Sequence, residues 1–75
     1  MDTENSSLDD ILILEYAFRW YRYGGGDAED IMVEFGMDDH AFYARVIEIL
    51  ARHPEAYDRR TSAPMASIAW DRAIR

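Results

Sequence analysis

The chain has no cysteine and no lysine, and it carries only two prolines and two histidines. Without cysteine there is no disulfide, no thiolate metal site and no thiol nucleophile. Without lysine, the Gly24-Gly25-Gly26 run cannot be a phosphate loop of the G-K-[ST] type, and no strand pattern precedes it. It reads instead as a flexible joint between helices. No apolar run approaches the roughly 18–20 residues of a membrane span. The start, MDTENSSLDD, is acidic, the reverse of the basic region that opens an export signal. These absences lead us to expect a cytoplasmic protein. Sustained alternation and hairpin dipeptides are also missing, so no strand is expected, and there is no internal repeat.

At 75 residues the chain allows one small domain. A domain of that size buries about 60% of its unfolded surface and is marginally stable. Ten aromatic residues, Trp20 and Trp70 among them, supply material for dense packing. The net charge of −7 is unevenly placed. Met1 to Glu48 holds twelve acids against three arginines, whereas Ile49 to Arg75 holds three acids against five arginines. An acidic body with a weakly basic end does not favour nonspecific phosphate binding over most of the surface.

The stretch from Asp27 to Leu50, DAEDIMVEFGMDDHAFYARVIEIL, organises the rest. Its spacing predicts a short helix from Ala28 to Phe35, with Asp27 as N-cap and Asp30 three residues on. Gly36 falls where a helix ends with positive φ. Met37 would plug the corner, and Asp38 would cap a second helix. Phe42, Val46, Ile49 and Leu50 mark the buried side of that helix, and Ile31, Met32 and Phe35 that of the shorter one. The bland alternative is an ordinary helical hairpin; the sharper reading is a helix-turn-helix over about residues 27–51.

Upstream, residues 1–7 read as a disordered acidic tail, and the domain as residues 8–75. Ser7 with Asp10 forms an S-x-x-D start signal, so the first helix is expected from Leu8 to Arg22 or Tyr23. It is apolar along two lines: Ile11, Leu14, Phe18 and Tyr21, and beside them Ile13, Tyr16, Trp20 and Tyr23. That width fits a central core helix. Alternatively, the Tyr16/Trp20/Tyr23 edge is a partner or homodimer surface. Downstream, Pro54 disfavours helix at His53, and PEAYDRR reads as a short helix. A break is expected at Thr61–Pro64. A final helix from Pro64 to Ile74 would turn Met65, Ile68, Ala69 and Trp70 inward. The fold class expected is all-α: a small three-helix core containing a helix-turn-helix, plus one or two short C-terminal helices.

Several landmarks stand in a characteristic order: Glu15, Phe18, Trp20, Tyr21 and Gly24; Ile31, Phe35, Gly36 and Met37; Phe42, Tyr43, Leu50, Pro54, Glu55 and Ala56; then Pro64 and Met65. In this order the chain, from Leu8 to Arg75, resembles a short actinobacterial family of unknown function, domain of unknown function 3263. The exclusive use of arginine as the basic residue is compatible with an actinobacterium or one of its phages. The resemblance implies a helix-turn-helix-like fold and no established activity. The chain departs from the family pattern in three places: Asp27, Glu29 and Asp30 stand where basic residues precede the turn helix, Asp38 and Asp39 where a small Ser-Ala type start opens the third helix, and scattered arginines where the tail is strongly basic.

Two functions compete. In the first, the chain is a DNA-binding transcription regulator. Asp39, His40, Tyr43 and Ala44 would face the bases, with Arg45 nearby. Phosphate contacts would come from Arg52, Arg59, Arg60, Arg72 and Arg75. The acids at the groove end of that helix oppose this reading electrostatically. In the second, it is an acidic interaction module, an adaptor or antagonist of a basic protein partner, with the transcription machinery as one candidate setting. Tyr16, Trp20 and Tyr23, with Asp27, Glu29, Asp30 and Glu34, would form its interface. An enzyme is not expected, because His40 and His53 are isolated and no base is paired with a nucleophile. No metal or cofactor is expected either: Asp38, Asp39 and His40 are consecutive, and consecutive helical residues diverge.

Overall fold

The computed structural model describes residues 2–74, with side chains described from Asp9 to Ile74. Four helices follow in order: α1 (Asp2–Trp20), α2 (Ala28–Phe35), α3 (Asp39–Arg52) and α4 (Arg59–Ile74), with a 3-10 turn over Tyr21–Tyr23 after α1. No strand occurs among the described residues. The all-α class is as expected. The tail expected over residues 1–7 lies outside the described side chains. The backbone of α1 already begins at Asp2, ahead of the Ser7 signal. Asp10 therefore lies well inside the helix rather than in its first turn.

One core joins the helices. Ile13, Leu14, Tyr16 and Ala17 of α1 meet Ile31 of α2, Phe42, Tyr43, Val46 and Ile49 of α3, and Met65 and Ala69 of α4. Aromatic edges interlock at its centre. Tyr16 meets Phe35 and Phe42 edge-on, each at 5.4 Å between ring centres, and Phe42 meets Tyr43 at 4.9 Å. Such perpendicular contacts bring the positive ring edge to the negative face. Tyr16 is thus core, and the first apolar line splits: Leu14 is buried, Phe18 and Ile11 are exposed. Phe18 stacks on Tyr57 at 5.2 Å, which ties the α3–α4 connection to α1.

The corner between α2 and α3 agrees with expectation. Gly36 ends α2 at φ 69°, its N–H donating to the Met32 carbonyl, a left-handed conformation that glycine adopts at no steric cost. Asp38 Oδ1 accepts from the Ala41 N–H at 2.8 Å and caps α3. Met37 packs against the core. The cap at Asp27 differs: its side chain makes no cap hydrogen bond, and Asp30 accepts from the Tyr16 hydroxyl at 3.1 Å instead of reaching back.

The C-terminal third corrects the reading three times. The residues from Pro54 to Tyr57 form a turn, not a helix, with the Ala56 N–H donating to His53. Thr61–Pro64 is no break: α4 runs through Pro64. Burial of Met65 and Ala69 in α4's extensive contact with α3 offsets the hydrogen bond that proline cannot donate. Trp70, expected inward, is 56% exposed.

Candidate functional site

Three features frame the candidate sites: the glycine loop between α1 and α2, a groove along α1 at the α2–α3 corner, and the far end of α3 and α4. The loop is more constrained than its composition implies. Gly26 N–H donates to the buried Tyr43 hydroxyl at 2.7 Å. Arg72 on α4 donates to the Gly24 carbonyl at 3.2 Å and to Asp39 Oδ2 at 3.1 Å, while its guanidinium lies over the Tyr43 ring at 5.0 Å. The backbone passes so close that a Cβ on Gly26 would fall 2.2 Å from the Tyr16 oxygen, and one on Gly25 2.5 Å from Arg72. Gly24-Gly25-Gly26 is therefore a clamped passage, not a loose joint. No motif signalled this, because the clamping residues lie far along the chain.

The clamp governs the residues expected to read DNA. Tyr43 is 2% exposed and cannot face a groove. Burial raises its phenol pKa, against the Gly26 hydrogen bond. Asp39 is held below the usual carboxylate range by the Arg72 hydrogen bond. Arg45 is bound to Asp10 at 2.9 Å and to Glu48 at 3.2 Å, and its pKa is raised by Asp10 first of all. Among the expected base-facing residues, His40 and Ala44 are exposed. Of the arginines expected on phosphate, Arg72 is engaged internally. Arg52, Arg59 and Arg60 are exposed, with no ion pair among the described residues. Arg75 lies outside the described residues.

The expected partner edge is also divided. Tyr16 is core, and burial is the first cause that pushes its phenol pKa up, the Asp30 hydrogen bond the next. Trp20 is half-buried, while Tyr23 is 75% exposed and touches Trp20 edge-on at 5.7 Å. Asp27, Glu29, Asp30 and Glu34 are all exposed on or beside α2. Next to them Val33 is 81% exposed and Met32 half so. Spacing does not single out Val33, since only the fold shows that Ile31 is the fully buried residue of α2.

A groove of about 550 Å³ runs along α1 beside the α2–α3 corner. Leu12, Ile13, Tyr16, Phe35 and Met37 give it an apolar floor; Asp9, Glu15 and Glu34 stand in its walls with Arg19 and the already paired Arg45. Asp38, Asp39 and His40 bring one potential ligand atom each within 4.8 Å of one another, so the expected divergence does not hold. The reason is that Asp38 is a cap folded over the helix start. One oxygen of each carboxylate is already used, Asp38 Oδ1 by Ala41 and Asp39 Oδ2 by Arg72.

No helix among the described residues is long and apolar enough to cross a membrane. No protein-family model matches the chain, and neither a curated protein nor a solved structure matches it. The actinobacterial resemblance accordingly stands on its residue landmarks alone.

Proposed function

We propose that this chain is a small helical protein-interaction module that holds a basic, partly apolar partner against the acidic side of α1 and α2. The observation that carries this is the groove itself: an apolar floor walled by Asp9, Glu15 and Glu34, continuous in sequence with the exposed Val33 and Met32. Apolar contact would supply affinity, and the carboxylates would speed encounter and select for positive charge. A lysine- and leucine-bearing amphipathic peptide of about 18 residues is a suitable probe. Its binding by calorimetry should weaken about tenfold in Glu15→Lys/Glu34→Lys with circular dichroism unchanged. Equal affinity for the variant would refute the reading.

A second reading, DNA-binding regulation, draws support from the glycine corner and from three exposed arginines, Arg52, Arg59 and Arg60. The internal use of Arg45, Arg72 and Tyr43 removes three of its expected contacts. It requires retention on a duplex column at about 50 mM salt, falling steeply as salt rises, and weakened by Arg59→Ala with Arg60→Ala.

A further inference from the structure

The end of the molecule where α3 stops and α4 starts has the opposite polarity. A groove of about 530 Å³ lies there between the two helices. Its floor is apolar, built from Ile47, Leu50, Ala51, Pro54, Ala63 and Trp70, and Arg59 and His53 line it as well. Arg52 closes α3, and Arg60 follows Arg59 in the first turn of α4. Arg45 and Arg72 pair with carboxylates, whereas Arg19 and Arg22 at the end of α1 do not among the described residues. Arg52, Arg59 and Arg60 have no such partner among the described residues. The nearby carboxylates in sequence are Glu48, which pairs with Arg45, Glu55, which lies 3.6 Å from His53, Asp58, and Asp71 next to Trp70. Trp70 stands more than half exposed although Ala69 beside it is fully buried.

We propose that this groove is a second docking site, for an acidic amphipathic segment of another protein, with its apolar side chains on Leu50 and Trp70 and its carboxylates on Arg52, Arg59 and Arg60. Charge complementarity selects the occupant. Arginine pairs with carboxylates through a planar fork, and a half-exposed tryptophan over an aliphatic cleft is the kind of anchor on which interface energy concentrates. A nucleic acid suits the place less well. The floor is a concave aliphatic cleft with one ring, not a row of stacking faces. A phosphate strip continued along α3 would meet Arg45 already paired, then Asp38 and Asp39. The two grooves share no lining residue. One molecule can therefore fill both, a basic partner on one and an acidic partner on the other, which is the geometry of an adaptor.

The test uses the full chain and a fluorescein-labelled helical peptide of about 16 residues, leucine and phenylalanine along one face and glutamate elsewhere, read by anisotropy. A scrambled peptide of the same composition and a single-stranded oligodeoxynucleotide of about 16 nucleotides are the other arms. Arg59→Glu/Arg60→Glu and, separately, Trp70→Ala should each weaken the acidic peptide about tenfold or more, with circular dichroism unchanged. Glu15→Lys/Glu34→Lys should leave its affinity as it was. Absence of saturable binding, equal binding of the scrambled peptide, or indifference to the arginine and Trp70 variants would overturn the proposal. Displacement of the peptide by the oligonucleotide, with oligonucleotide binding dependent on the same arginines, would overturn it in favour of nucleic acid. If the acidic peptide fails while the basic peptide still depends on Glu15 and Glu34, the second site falls and the first reading stands.

Discussion

Gly26 and Tyr43 show how much of this fold rests on single atoms. Gly26→Ala places a methyl group inside the Tyr16 ring contact, where the core cannot yield cheaply; a loss of about 2–3 kcal/mol in urea unfolding is expected. Tyr43→Phe keeps the ring but leaves the buried Gly26 N–H without its acceptor, a loss of about 1–3 kcal/mol. The tyrosines also set an alkaline limit. The Tyr16 and Tyr43 pKa values are raised above the ordinary 10.0, so the folded state holds these protons more tightly than the unfolded chain does. Their contribution is complete below about pH 10 and is lost as pH rises beyond it. Stopped-flow absorbance near 295 nm should show part of the phenolate signal appearing only with loss of helix. At this scale the sequence was partly legible. Phe42, Val46 and Ile49 declared themselves by spacing. Tyr43 did not, because α4 covers a further side of α3, and one helix's periodicity carries no record of what packs on its second side.

The elements themselves were legible where local chemistry decides. Gly36 needs a left-handed backbone and Asp38 needs an N–H to accept from, and both requirements are written within a few residues. Asp38→Ala should therefore cost about 1 kcal/mol, whereas Asp27→Ala, which removes no cap hydrogen bond, should cost a few tenths (~0.3 kcal/mol). Thermal or urea midpoints will separate the two. Local rules failed at Pro64. Proline in a helix interior signals an end, yet the tertiary burial of Met65 and Ala69 just after it carries α4 through. Because the backbone is already helical there, Pro64→Ala restores a donor and should raise stability by about 1–2 kcal/mol, less than the roughly 3 kcal/mol of an isolated helix since Pro64 is half-buried. A lowered midpoint would mean that the ring's packing outweighs its missing N–H.

For the molecule as a whole, ion pairs join distant helices: Asp10 to Arg45 links α1 with α3, and Asp39 to Arg72 links α3 with α4. The Asp39 pKa is lowered in the fold, so its contribution is present above the unfolded value of 3.8 and fades as pH falls below it. Urea midpoints measured from about pH 6 down to about pH 3 should drop, and less so in Asp39→Asn/Arg72→Gln. The expected site was the least legible feature at this scale. The uneven charge was visible in the sequence, but not which arginines would be consumed by the fold. That depends on pairings across 35 residues for Arg45 and 33 for Arg72.

The tether from Arg72 to Gly24 encloses the whole α2–α3 corner within a loop of 48 positions. Closing so long a circuit costs entropy that neighbouring contacts do not recover until α4 has settled. The corner is consequently no portable cassette: excised as residues 27–52 it would keep its glycine and its cap yet lose both the aromatic bed beneath it and the guanidinium that fastens its entrance, and circular dichroism of that fragment should show mostly coil.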